Sequence, residues 1–234
     1  MNSLQHIVEP DRLYLTWQPV DENASNRTRR VVGLVVKRAG DTFGFRYLRE
    51  LDDYKKAVEA GFQGFPAFKG ADVEHNQGVR EALLRRLPPR NREDFADYLA
   101  LHRLPSPFPY SDFTLLGYTR ARLPSDGFEL VPAFPLNAAP FDLLVEVAGV
   151  RHVYGLDVGD IKPGDDVTFE QESDNPVDAD AIAVLHEGNR LGYINRVMRT
   201  EFLDWLQHKT VTAQIERLNG KPDRPVIYVR VAVR

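Results

Sequence analysis

The chain has 234 residues, 43% hydrophobic and 27% charged, with a formal charge of −4; this excludes a disordered chain and allows one large or two ordinary domains. It holds no cysteine, which excludes disulfide scaffolds, thiolate zinc sites and cysteine nucleophiles together and suits a reducing compartment. Residues 1–137 carry 19 basic against 18 acidic side chains and residues 138–234 carry 11 against 16, so the second part is not built for a broad grip on duplex phosphates.

The opening stretch, M-N-S-L-Q-H-I-V-E-P-D-R, has neither a basic start nor an apolar core, so no signal peptide is expected. No apolar run approaches the ~20 residues that a bilayer requires. A cytoplasmic protein without a membrane partner is expected. Residues 12–20 alternate with Leu13, Leu15 and Trp17 on one side, the period of a strand. Arg29–Arg38 and Thr42–Arg49 are two further strands around the turn Ala39-Gly40-Asp41, which together predict a small antiparallel meander. The period then changes. Leu51, Tyr54 and Val58 predict a helix over 51–60 that Gly61 ends.

Residues 61–76 read as a loop loaded with phenylalanine. Short helices are predicted over 79–87, 94–101 and 112–119, separated by prolines, and a last strand over 127–131. Pro132–Pro140, with three prolines and small residues, predicts a linker, and the chain divides into an α+β domain over 1–136 and a second domain over 137–234. In the second, strands are expected over 141–150, 166–172, 181–186, 190–194, 210–218 and 225–233. A helix over 196–208 carries Met198, Phe202, Trp205 and Leu206 on one face. That inventory predicts a small, partly open β-barrel of OB or SH3-like architecture with one helix.

Glu172 to Tyr193 is the candidate site. There a polar turn built on Asn175-Pro176 and aspartates runs into the apolar strand Ala181–His186, and a Gly-Asn turn returns to Leu191-Gly192-Tyr193. Turn chemistry alone gives Asn175 and Asp178 a second reading, as side chains that satisfy neighbouring amides. Tyr193 likewise reads as a partly buried strand aromatic. Asp174, Asp178 and Asp180 lack the spacing of a calcium loop, so no metal is expected.

The order G-V-R-H at 149–152, L-D-V-G-D-I-K-P-G-D-D-V at 156–167, D-N-P-V-D-A-D-A-I-A-V at 174–184 and L-G-Y-I-N-R at 191–196 resembles the HIRAN domain. The resemblance covers roughly residues 140–234. It implies an OB-like barrel that binds single-stranded DNA, at a 3′ end, in DNA repair or replication-fork processing. Asp178 matches the family position whose carboxylate accepts a hydrogen bond from the terminal ribose hydroxyl. Asn175 would face a base edge or the sugar, and Arg151 matches a basic position for phosphate or base. His152 and Tyr193 would flank the pocket, and Arg196 would meet a phosphate at the start of the predicted helix. Three positions depart from the family pattern: Val177 stands where an aromatic is usual, His152 replaces the tyrosine of an Arg-Tyr pair, and Asp180 adds a negative charge.

The segments L-Y-L-T-W, G-F-R-Y-L, residues 81–99 and D-G-F-E-L-V-P at 126–132 resemble the N-terminal subdomain of HipA-family toxin kinases more loosely, over roughly 12–132. No glycine-rich loop, paired lysine or metal-binding Asp motif of a kinase core is present. That resemblance implies docking to a protein partner of kinase or helicase type, an antitoxin-like alternative to DNA binding. Arg80, Arg85, Arg86, Arg90 and Arg92 form the densest basic cluster and read as a solvated helix face or a supporting phosphate contact. The six histidines are scattered, and no catalytic or dinucleotide motif stands out. The expectation is a non-catalytic protein without a cofactor.

Overall fold

The computed structural model describes residues 3–234 apart from 22–27, 71, 124, 136, 155, 157, 176–177 and 222–223. The chain divides into two compact units, Val8–Leu136 and Asn137–Arg234, with the segment ending at Ile7 belonging to the second.

In the first unit, β1 (Arg12–Trp17), β2 (Arg30–Arg38), β3 (Thr42–Tyr47) and β4 (Phe128–Ala133) form one antiparallel sheet in the order β3-β2-β1-β4. The apolar residues of the strand repeat, Leu13, Leu15, Val32 and Val35, face the core with the rings of Phe43 and Phe45. Gly33 is what admits Phe45: a Cβ there would lie 2.4 Å from the ring. Helices α1 (Asp52–Glu59), α2 (Val79–Leu84), α3 (Phe95–Leu101) and α4 (Asp112–Thr119) follow the proline punctuation of the sequence.

The phenylalanine loop is core. Phe62, Phe65 and Phe68 are buried, with Phe68 stacked on Phe45 at 4.3 Å. Tyr47 donates its hydroxyl to the Phe68 carbonyl at 2.7 Å and accepts the Phe65 amide at 2.8 Å, which stitches the loop to the sheet. The expected linker begins too early: Pro132 and Ala133 complete β4, and Phe134 is buried. Because β4 is a sheet edge, proline there forfeits no ladder bond that a neighbour needs.

The basic cluster is not one solvated face. Arg86 is only 7% exposed, donates to the Ala121 and Phe128 carbonyls and to Asp126, and lies over the Phe65 and Phe128 rings. Arg80 and Arg90 share Asp112, and Arg92 pairs with Asp94.

The second unit carries β5 (Phe141–Glu146), β6 (Asp166–Glu172), β7 (Ala181–His186), β8 (Asn189–Tyr193), β9 (Val211–Lys221) and β10 (Arg224–Val233) in the order β5-β10-β9-β6-β7-β8. The two ends of that order meet. Ala148, two residues beyond β5, exchanges both backbone hydrogen bonds with Tyr193 of β8 at 2.8 Å, so the sheet closes into a barrel-like ring. Helix α5 (Arg199–His208) places Phe202 and Trp205 in the interior, Trp205 edge-on to Phe141 at 5.1 Å. It starts three residues later than the apolar pattern suggested, because Arg196–Met198 form a 3-10 turn first. No helix among the described residues is long and apolar enough to cross a membrane.

Candidate nucleic-acid interface

The closure at Ala148 and Tyr193 builds the site, because it brings the turn after β5 against the end of β8. Gly192 makes the approach possible. At φ 154° it lies where a Cβ would sit 2.4 Å from the Ala148 carbonyl oxygen and 2.7 Å from Val147 Cγ1, so only glycine fits. Past the junction Gly149, at φ 73°, starts the 3-10 turn Val150–His152, and a Cβ there would lie 3.6 Å from Cδ2 of the Tyr193 ring. Arg151 and His152 are exposed on this turn, where Arg151 Nε donates to His152 Nε2 at 3.0 Å. Two residues on, Tyr154 is fully exposed, 103% of its reference surface.

Asn175 meets the hydroxyl end of Tyr193. Asn175 Nδ2 donates to Glu172 Oε2 at 2.9 Å and to the Tyr193 hydroxyl at 3.2 Å. That hydroxyl donates to Glu172 Oε2 at 3.0 Å and accepts from Arg190 at 2.8 Å, and the Arg190 guanidinium lies 5.4 Å from the Tyr193 ring centroid. Arg190 also donates to Glu172 Oε1 at 2.8 Å. Glu172 is therefore the hub on which Asn175, Arg190 and Tyr193 converge. Partial burial acts to raise the Glu172 pKa, but the bonds from Asn175, Arg190 and Tyr193 outweigh it and hold the carboxyl below its ordinary value. Burial, with the Glu172 bond and charge added, pushes the Tyr193 hydroxyl above its ordinary value.

Asp178 sits one link further out. Its amide donates to Asn175 Oδ1 at 3.2 Å, and its Oδ1 accepts the Asp180 amide at 3.2 Å, so the turn has the self-satisfied Asx pattern of its sequence. Its carboxylate pairs with the Arg199 guanidinium through both oxygens, and Arg199 also approaches Asp180 at 3.8 Å. The negative charge that Asp180 adds is thus opposed. A carboxylate offers about four acceptor sites, and Arg199 with the Asp180 amide takes about three. Asp178 keeps a 25% exposed side chain with acceptor capacity left.

Arg196 lies in the 3-10 turn rather than on the first turn of an α-helix, and Asn195 Oδ1 caps that turn by accepting the Val197 amide at 3.0 Å. The anion-favouring amides expected there are partly occupied by Asn195 itself. Of the candidate residues, the structure joins Asn175, Asp178 and Tyr193 in one hydrogen-bonded network and sets Arg151 and His152 beside it on the facing turn. Val177 lies outside the described residues. Among the described residues no three histidine or acidic side chains converge as a metal ion would require.

Sequence reasoning missed Glu172, Arg190, Arg199 and Tyr154. Tyr154 carried a signal: it is the lone Phe, Tyr or Trp between Phe141 and Phe169, in a segment with no strand or helix period. Arg199 carried none, since only the fold brings the start of α5 to the Asp178 turn.

No curated protein sequence matches the chain. Among solved structures, the HIRAN domain of human HLTF aligns at 17% identity, covering 39% of this chain and 74% of that one, with a TM-score of 0.32. A protein from Lactobacillus plantarum aligns at 23% identity, covering 41% of this chain and 98% of that one, with a TM-score of 0.34. The family profile described as "HIRAN domain" matches residues 140–233. This chain therefore carries a HIRAN domain over residues 140–233.

Proposed function

We propose that the protein is a non-catalytic module that binds single-stranded DNA, at its 3′ end, through the HIRAN domain. HIRAN domains are nucleic-acid-binding modules, and the observation that carries the reading here is the exposed trio Arg151, His152 and Tyr154. An aromatic ring with no protein neighbour costs hydrophobic exposure and makes no packing gain, so its natural use is as a platform for a base. Arg151 supplies the cation for the adjoining phosphate. Asp178, fixed by Arg199 and Asn175, accepts the terminal ribose hydroxyl, a group that internal nucleotides lack. Asn175 and Tyr193 act behind it as the framework that sets its position.

Fluorescence anisotropy with oligonucleotides ending in a free 3′-hydroxyl or a 3′-phosphate tests this. The phosphate places charge against the Asp178 carboxylate and removes the hydroxyl donor, so affinity is expected to fall at least tenfold. Few phosphates are met, so the log–log salt slope is expected at roughly −1 to −3, given about −0.7 per neutralised phosphate on single strands. Equal binding to both termini would defeat the end-binding reading. No binding to either at low salt would defeat the DNA reading altogether.

A further inference from the structure

Strand β8 carries a cation that end recognition leaves unused. Residues three apart on a regular strand point to opposite faces, so Arg190 and Tyr193 would normally be separated. The pairing of β7 with β8 slips instead: Leu185 faces Arg190, while its neighbour Val184 faces Gly192. Leu191 is the extra residue of this bulge, and the slip turns Arg190 onto the face of Tyr193. On that face Arg190 Nη1 donates to Glu172 Oε1 and to the Tyr193 hydroxyl, each at 2.8 Å.

Those two bonds use both hydrogens of Nη1. Arginine has donors on three nitrogens, so Nε and Nη2 still have theirs to give. They meet no partner among the described residues, and the side chain is 45% exposed. The Nε–Nη2 edge is therefore an open fork of the kind that takes a phosphate with two parallel bonds. Glu172 orients the guanidinium from the opposite edge and divides its own charge among Asn175, Tyr193 and Arg190. The Tyr193 ring, its centroid 5.4 Å away, steadies it further. A guanidinium fixed from behind loses little freedom when an anion docks in front. Holding Glu172 requires Nη1 alone, so the frame has no use for the fork.

We infer that Arg190 is a second DNA contact, whose Nε–Nη2 fork holds the phosphate next upstream of the one at Arg151. The inference rests on the DNA reading of the Arg151 turn. The Tyr193 ring connects the two places. Arg190 is bonded to its hydroxyl, and a Cβ on Gly149, where the Arg151 turn starts, would lie 3.6 Å from its Cδ2. One ring with a contact at each end spans roughly 10 Å, up to three nucleotides at about 3.4 Å of rise each, so neighbouring phosphates reach both cations.

The test is anisotropy on the full chain with 12-nucleotide single strands that carry one uncharged methylphosphonate, at the first or the second linkage from a free 3′ end, or none. Wild type is expected to lose about tenfold in affinity at either linkage. Arg190→Gln is expected to bind the unmodified strand about tenfold more weakly, with a salt slope shallower by about 0.7. It should lose nothing more at the second linkage and still respond at the first, which also shows that the variant is folded. Arg151→Gln is expected to show the reverse. An Arg190→Gln protein that binds the unmodified strand as wild type does, or that still responds at the second linkage, overturns the contact. Loss of response at both linkages overturns it too, because Arg190 then serves only to hold Glu172 and the frame. In each case a weakened Arg151→Gln keeps the terminal site standing, whereas Arg151→Gln with wild-type affinity ends the reading of that site on its own.

Discussion

Asp142 offers a sharp test of what holds the site-bearing domain together. It lies on β5, the strand that delivers Ala148 to Tyr193, and its side chain has no solvent exposure. Oδ2 accepts the Gln5 amide at 2.8 Å and the His6 amide at 3.1 Å, while Oδ1 accepts from Arg234 at 2.6 Å. Asp142→Asn keeps the volume and removes one acceptor oxygen, so whichever way the amide turns, its NH2 meets donors. If it faces Arg234, a charge-assisted bond of about 1.5–3 kcal/mol is lost, and a buried donor is left unsatisfied at about 1–3 kcal/mol. Arg234 is 39% exposed and can rehydrate, which discounts the first figure. A net loss of about 2–4 kcal/mol follows, or roughly 1–2 M in the urea midpoint for an m-value near 2. Burial acts to raise the Asp142 pKa, but Arg234 and the two amides outweigh it and set it below its ordinary value. A carboxyl with a depressed folded pKa stabilises the fold above its unfolded pKa of about 3.9 and loses that contribution as pH falls through the folded value. Wild type should therefore weaken below about pH 4 more steeply than Asp142→Asn. The chain's two tryptophans fall in different units, so Trp205 emission in a Trp17→Phe background reports urea unfolding of this domain alone. A loss under about 0.5 kcal/mol, or an acid slope equal to that of wild type, would refute the reasoning.

Two further outcomes are expected. Tyr154→Ala removes a stacking surface and nothing else, so single-strand affinity should drop by about 5- to 150-fold, the equivalent of about 1–3 kcal/mol, while the urea midpoint stays put; a shifted midpoint would mean that the ring packs in the protein. Gly192→Ala puts a methyl into the Ala148 carbonyl and should open the ring, lowering domain stability by more than about 2 kcal/mol in urea unfolding and weakening DNA binding with it; a variant as stable as wild type would show that the closure is dispensable.

Sequence periodicity located the elements because each is short and bounded by its own punctuation. β6 and β7 fall where their apolar alternation ends, and α4 starts at Ser111, whose hydroxyl accepts the Thr114 amide as its N-cap. It failed where tertiary packing overrides local chemistry. Pro132 reads as a breaker, yet an edge strand accepts it. Phe62, Phe65 and Phe68 have no regular spacing, because a loop held by Tyr47 can turn each ring inward without a helical or strand period. Arg86 reads as solvent-facing from its neighbours in the sequence, but two backbone carbonyls and two ring faces, all distant along the chain, make burial tolerable.

The site divides along the same line. Asn175, Asp178 and Tyr193 were legible as a group because turn residues advertise themselves, but that chemistry is largely spent on the protein itself. Glu172 draws in Asn175, Arg190 and Tyr193, and Arg199 takes the Asp178 carboxylate. A network so largely satisfied, with only part of the Asp178 carboxylate left over, is rigid, and rigidity is what a recognition site needs from its frame. Of the groups left facing outward, Arg151 and His152 are marked by G-V-R-H at 149–152, whereas Tyr154 belongs to no motif. Their placement depends on Gly192 letting Ala148 pair with Tyr193, a contact between residues 45 positions apart that no local pattern encodes. Under the proposed reading, recognition is therefore divided between a frame written largely in turn chemistry and an outward edge placed by the closure of the sheet.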